Sequence, residues 1–255
     1  LSGWWPLFVL HGMTARELFL NILNKADDPN SGGRQMPMHY GHKKLNIVNQ
    51  SSPTGTQFLQ AVGAAVAVKY HGGDQVVYVS AGEGTTAQGA YHEALNWAAR
   101  DRLPIIFLIQ DNKYAISVHI SEQIAGASVS KISSGYEGLN VAKVDGCDFV
   151  ESYRVLSAAI SRARKGDGPT VVDADVVRLQ SHSISDNQLK YRPADELSQD
   201  KLHDPLERFA QYLIHEGMVS AAELKKLDAE IQDSVNRDAS WAEAQADPAP
   251  HSCED

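Results

Sequence analysis

Residues Val76 to Ser117 read VVYVSAGEGTTAQGAYHEALNWAARDRLPIIFLIQDNKYAIS, and the fold turns on this stretch. It opens with an apolar run of β type, Val76-Val77-Tyr78-Val79, which breaks at Gly82-Glu83-Gly84. A helix-patterned segment extends from about Gln88 to Arg100, and Pro104 introduces a second apolar run, Ile105 to Ile109, ending at Asp111-Asn112. Strand, tight turn, helix, strand is the order of a parallel βαβ unit. Glu83 and Asn112 then fall at the carboxyl ends of two parallel strands, where open α/β sheets place their ligands.

Both strand ends offer hard oxygen donors. A carboxylate from Glu83 and an amide oxygen from Asn112 suit Mg²⁺ or Ca²⁺ rather than zinc. Glycines on either side of Glu83 would let a phosphate approach the backbone, and a helix beginning near Thr85 would aim its free N–H groups at it. The residue types fit a metal-bridged phosphate site. They fit equally a plain turn and a strand exit.

Further blocks of sequence add to this unit. Gly33-Arg34-Gln35-Met36-Pro37-Met38-His39-Tyr40-Gly41 and Ser51-Ser52-Pro53-Thr54-Gly55-Thr56-Gln57 precede it, and Ser181-His182-Ser183-Ile184-Ser185-Asp186 with Tyr191-Arg192 comes after it. Together these blocks resemble the thiamine diphosphate-dependent first component of 2-oxo acid dehydrogenases, in its α chain. Gly-Glu-Gly in place of the commoner Gly-Asp-Gly resembles the branched-chain members. The wording of SVSKISSGYEGL and SPTGTQFLQAVGAA is similar to the α half of bacterial chains in which α and β are fused.

The resemblance implies an α/β/α three-layer thiamine diphosphate fold with a mainly parallel sheet and a helical C-terminal tail. It implies Mg²⁺ held by Glu83, Asn112 and the carbonyl of Tyr114, with Gly82, Gly84 and Thr85 at the cofactor diphosphate. Ser52 and Thr54 would meet the aminopyrimidine, and Ser51, Pro53, Thr56 and Gln57 a structural K⁺ ion. His182 would be the catalytic histidine, touching the diphosphate from a loop that orders over the site. Ser183 occupies the position phosphorylated in mitochondrial relatives, where an added phosphate would crowd an anionic cofactor.

The activity implied by the resemblance is oxidative decarboxylation of a branched-chain 2-oxo acid such as 2-oxoisovalerate, with acyl transfer to a lipoyl domain. Partners would be a β subunit or half, which supplies the aminopyrimidine-activating Glu, a lipoyl acyltransferase, and further copies in an oligomer. Pyruvate or acetoin dehydrogenase α chains and a degenerate, non-catalytic subunit stand as alternatives. The match departs from the family near the N-terminus, where Trp4-Trp5-Pro6-Leu7 replaces a Tyr-Arg pair, and at Gln110, where a basic diphosphate contact falls in relatives. A site so built is less cationic than theirs. A dinucleotide-binding Rossmann site is a poorer match, because the glycine after Gly84 is Gly89, which is not at the fingerprint spacing.

Composition sets the remaining bounds. The chain has 255 residues, enough for one α/β domain with an appendage, and is 43% apolar and 22% charged. Its net charge of −9 leaves no basic stripe for a nucleic acid. Cys147 and Cys253 are too few for a disulfide framework, so a reducing cytoplasm is expected. Trp4 to Leu10 is too short to span a bilayer, has no signal-peptide flanks, and is expected as a buried edge segment.

Thr14 with Glu17 forms a capping-box pattern ahead of a helix to about Lys25, and Ser220 with Glu223 forms another. His39 and His42 have no third close ligand and are expected to shape a wall rather than hold zinc. The expected divisions are a cofactor-binding domain over 1–194, a helical extension over 195–240, and a linker-like tail over 241–255.

Overall fold

The structure is a computed structural model and describes residues 4–253. The βαβ unit read from the sequence is its centre. Strand β1 spans Val77–Gly82 and β2 spans Ile105–Asp111; they pair in parallel, Val77 opposite Ile105 through Gly82 opposite Gln110. Two later strands, β5 (Asn140–Asp145) and β6 (Thr170–Asp175), also pair in parallel, and β6 joins β2, giving the order β1-β2-β6-β5. Between β2 and β5 in sequence, β3 (Tyr114–Ala115) and β4 (Val118–His119) form a short antiparallel hairpin.

Alternation along the strands divides the side chains between two cores. Val79, Phe107, Ile109 and Val171 face one side, under α3 (Thr56–Tyr70) and α4 (Gly89–Arg100). Ile106, Val144, Val172 and Ala174 face the other, under α6 (Phe149–Arg164). Each large side chain so buried contributes on the order of 1.5–3 kcal/mol. Helices on both faces of a parallel sheet make the three layers the sequence implies. Ala61 and Ala65 of α3 are buried in the first core, so the small residues of that helix serve close packing.

The N-terminal segment departs from expectation. Trp4–Leu10 is a helix, α1, and not an edge segment: its carbonyls are taken by its own chain, with the His11 N–H donating to Leu7 O at 3.0 Å. Phe8 is buried and meets the ring of Tyr40 edge-on at 5.2 Å, while Val9 and Leu10 are exposed. The next helix, α2 (Ala15–Ile22), has the reciprocal Thr14–Glu17 capping box and stops short of Lys25.

Two compact units emerge. One takes Leu1–Ser52 with Glu216–Asp255, the other Pro53–His215. This partition differs from the divisions at 194/195 and 240/241. The parallel sheet, α5 (Val129–Ser133), α7 (Ala194–Leu202) and α8 (Pro205–His215) all belong to the second unit.

In the first unit, α9 (Ala221–Glu243) opens with the Ser220–Glu223 capping box and packs on α2, where Arg16 pairs with Asp238 and lies over the Trp241 ring. The described part of the 241–255 tail is anchored rather than linker-like. The Ala26 N–H donates to Ala246 O at 2.9 Å, Lys25 pairs with Asp247, and Pro248 lies against Gly33. None of the described helices is long and apolar enough to cross a membrane.

Candidate functional site

Glu83 comes directly after β1 and is 1% exposed. One carboxylate oxygen, Oε2, accepts the Asn112 N–H at 3.3 Å; the other, Oε1, is buried with no hydrogen-bond partner. Burial pushes its carboxyl above the ordinary value, and the nearby Asp111 charge adds to the rise, against hydrogen bonds from the backbone and the charge of Lys113. A buried carboxylate oxygen with nothing to bind is costly unless a cation completes it.

The turn that carries Glu83 is tighter than an α-helix start. Residues Glu83–Ala87 form a 3₁₀ turn, closed by the Thr86 hydroxyl donating to Glu83 O at 2.6 Å, and α4 begins only at Gly89. The helix expected to point its N–H groups from near Thr85 therefore starts one turn later. Gly84 has a packing reason for lacking a side chain: a Cβ there would lie 2.5 Å from the Ala115 Cβ.

Asn112 comes directly after β2, and its Oδ1 accepts the Tyr114 N–H at 3.0 Å, curling the chain toward β3. Lys113 between them adopts φ 70°, a left-handed backbone uncommon for a side chain of its kind. Its ammonium reaches Asp111 Oδ2 at 2.8 Å and Asp175 Oδ1 at 2.9 Å. Burial works against the charge, but both carboxylates outweigh it and raise the ammonium's pKa.

The residues after β6 contribute a second layer that sequence reasoning missed. Arg178 donates to Ile116 O at 2.8 Å and to the Tyr191 hydroxyl at 2.7 Å, and stands over both the Tyr114 and Tyr191 rings. Tyr191 in turn donates to Asp186 Oδ2 at 2.6 Å, the atom that also accepts the His182 N–H at 2.8 Å. Arg192 is 5% exposed, pairs with Glu196 and Asp200, and also lies over the Tyr114 ring, 4.9 Å from its centroid. Glu196 accepts the Tyr114 hydroxyl at 3.1 Å. The segment bearing His182 is thus tied to the segment bearing Asn112 and Tyr114. The signal was present as a run of Arg and Tyr around 178–192, but which carboxylates and rings they meet depends on the fold.

His182 itself is exposed, as are Ser183 and Ile184. Partial desolvation in the loop, with the Arg178 cation, lowers its pKa and so favours the uncharged ring. Gly82, Glu83, Gly84, Thr85, Asn112, Tyr114 and His182 all lie in the second unit. Ser51 and Ser52 belong to the first unit and Pro53, Thr54, Thr56 and Gln57 to the second, so the aminopyrimidine and K⁺ assignments rest on the resemblance alone. Ser52 Oγ meets His39 Nε2 at 2.6 Å, and Thr56 donates to Pro53 O at 3.0 Å. His39 and His42 turn to different partners, Ser52 and Glu17. His92, inside α4, meets the Tyr136 hydroxyl at 3.1 Å, a packed role.

A parallel sheet with helices on both faces and an incomplete carboxylate at its strand ends defines an α/β protein with a strand-end acidic site. Comparison with known proteins gives the class a family. The chain matches the family described as Dehydrogenase E1 component over residues 5–252. It is 41% identical over 244 residues to the 2-oxoisovalerate dehydrogenase subunit alpha of Bacillus subtilis, covering 96% of this chain and 74% of that one. It is 36% identical over 236 residues to the mitochondrial 2-oxoisovalerate dehydrogenase subunit alpha of Mus musculus, covering 92% of this chain and 53% of the other. A 3-methyl-2-oxobutanoate dehydrogenase subunit alpha of Mycobacterium tuberculosis is 38% identical over 192 residues, 72% of this chain and 52% of its own length. The chain spans about half the length of the last two relatives.

This chain belongs to the dehydrogenase E1 component family and is an enzyme component. The family implied by the sequence blocks is the one found.

Proposed function

We propose that this chain is the α component of a thiamine diphosphate-dependent dehydrogenase acting on a branched-chain 2-oxo acid, with 2-oxoisovalerate favoured. The observation that carries the proposal is Glu83: a carboxylate 1% exposed, at a strand end, with one oxygen left open. That atom fits a hard divalent cation. Glu83, Asn112 and the Tyr114 carbonyl would hold Mg²⁺, and the backbone N–H groups of Gly82, Gly84 and Thr85 would serve the diphosphate.

Thiamine diphosphate supplies the carbanion chemistry of decarboxylation when bound. The chain's own residues bind and orient it. Arg178, Tyr191 and Asp186 fix the loop from which His182 would donate a hydrogen bond to the diphosphate. With Gln110 on β2, where the resemblance to the family leads one to expect a basic contact, more of the anionic charge would fall on Mg²⁺ and backbone donors. The acyl group would pass to a lipoyl arm of an acyltransferase partner. A β chain would supply the carboxylate that activates the aminopyrimidine, within an oligomer in a reducing cytoplasm. Names of the relatives support the substrate class and the α role.

The test is turnover by the assembled enzyme, with Mg²⁺, thiamine diphosphate and a lipoyl acceptor, across 2-oxoisovalerate, pyruvate and acetoin. Highest kcat/KM for 2-oxoisovalerate is expected. A preference for pyruvate or acetoin would move the substrate assignment, and no turnover with any of them would indicate a non-catalytic subunit.

A further inference from the structure

We propose that Lys113 is a positioning residue for the metal site: its ammonium bridges Asp111 and Asp175 across the ends of β2 and β6 and so holds the turn that carries Asn112 and Tyr114 beside Glu83. This role rests on the assignment of Glu83, Asn112 and Tyr114 as metal ligands.

The geometry is specific. Asp111 and Asp175 are direct partners in the β2–β6 register, and Asp111 is 3% exposed. Two like charges on neighbouring strands repel unless a cation lies between them. Lys113 supplies it, at 2.8 Å and 2.9 Å.

The same residue sits in the left-handed region, φ 70°, which a lysine keeps only when its surroundings fix it. Here they do. Its N–H donates to Asp111 Oδ1 at 3.1 Å, its carbonyl accepts the Ile120 N–H at 2.8 Å, and its neighbour Asn112 closes on Tyr114. Lys113 thus stands between two assigned ligands while its side chain is fastened to two adjacent strands.

The bridge has a second consequence. Asp111 and Asp175 are themselves a pair of hard oxygen donors at the ends of parallel strands. The ammonium occupies that pair, while Glu83 Oε1 stays open. The internal cation therefore directs an added divalent cation to Glu83.

The experiment titrates Mn²⁺ into the assembled enzyme with thiamine diphosphate, read by electron paramagnetic resonance, with metal-free thermal melting in parallel. Lys113→Met is expected to weaken Mn²⁺ binding about tenfold or more, the range for losing a residue that orients metal ligands. Lys113→Arg should restore most of it, because a guanidinium can span both carboxylates. Lys113→Gly relieves the backbone conformation without supplying a cation and should lose affinity as Lys113→Met does. If Lys113→Met proves unfolded, the Arg and Gly variants decide by the same contrast.

Wild-type Mn²⁺ affinity in Lys113→Met or Lys113→Gly overturns the proposal, as does a lower melting temperature with unchanged affinity, which marks a merely structural clamp. Glu83→Gln runs alongside. Loss there with full binding in Lys113→Met removes the Lys113 role alone. Retained binding in Glu83→Gln removes the ligand assignment and this proposal with it.

Discussion

The two strand ends of the site are held by different forces. After β1 the turn is held by contact: Gly84 lies where even a methyl group would press on Ala115, and Thr86 closes the turn on the Glu83 carbonyl. After β2 the turn is held by charge: Lys113 spans Asp111 and Asp175, and the Tyr114 ring lies under Arg178 and Arg192. Packing places the Glu83 carboxylate, and ion pairs place the Asn112 amide and the Tyr114 carbonyl, the three groups proposed to hold the metal. The packed end is thereby less sensitive to salt than the charged end, whose ion pairs are screened by it.

The contrast can be broken from either side. Arg192→Ala should have the largest effect, about 3 kcal/mol of lost stability in chemical denaturation, since it leaves Asp200 and Glu196 without their cation around a buried position. A loss below about 1 kcal/mol would mean the charged end is held otherwise. Gly84→Ala attacks the packed end and should cost about 1–3 kcal/mol by forcing Ala115 or the turn to shift. Ser220→Ala, which removes a capping box remote in sequence from both turns, should cost about 1 kcal/mol and sets the scale for an ordinary local loss.

The smallest effect is a shift with pH. Burial, with the Asp111 charge, raises the Glu83 carboxyl above its ordinary 4.5. A carboxyl raised on folding contributes stability below its unfolded pKa and loses it as pH rises through the folded one. The metal-free chain should therefore lose stability from about pH 4.5 upward through this group, and bound metal should suppress that loss. Asp111→Asn removes the neighbouring charge, so the loss should be complete at a lower pH in melting curves taken across pH.

Much of this was legible in the chain. The continuous apolar runs at Val76–Val79 and Ile105–Ile109 and the glycines around Glu83 announced the βαβ unit, and parallel pairing then requires Glu83 and Asn112 to share the carboxyl end of the sheet. Thr14–Glu17 and Ser220–Glu223 announced their caps because both partners lie within one helical turn. The hidden features depend on distant partners. Arg178 and Arg192 could not be paired with Tyr114, 64 and 78 positions away by their numbers, before the sheet order was known. The helix at Trp4–Leu10 lacked a cap or a clear apolar stripe to mark it. The tail near Ala246 was polar and proline-rich, yet its backbone pairs with Ala26, a contact that no local pattern encodes.

The central claim is that Glu83 is a metal ligand, and calorimetry of thiamine diphosphate binding with Mg²⁺ present, wild type against Glu83→Gln, tests it most directly. The variant keeps the shape of the side chain and removes its charge. Loss of Mg²⁺-dependent cofactor binding is the result expected here. Binding of wild-type affinity and Mg²⁺ dependence in the variant would contradict the assignment and leave the open carboxylate oxygen without a function.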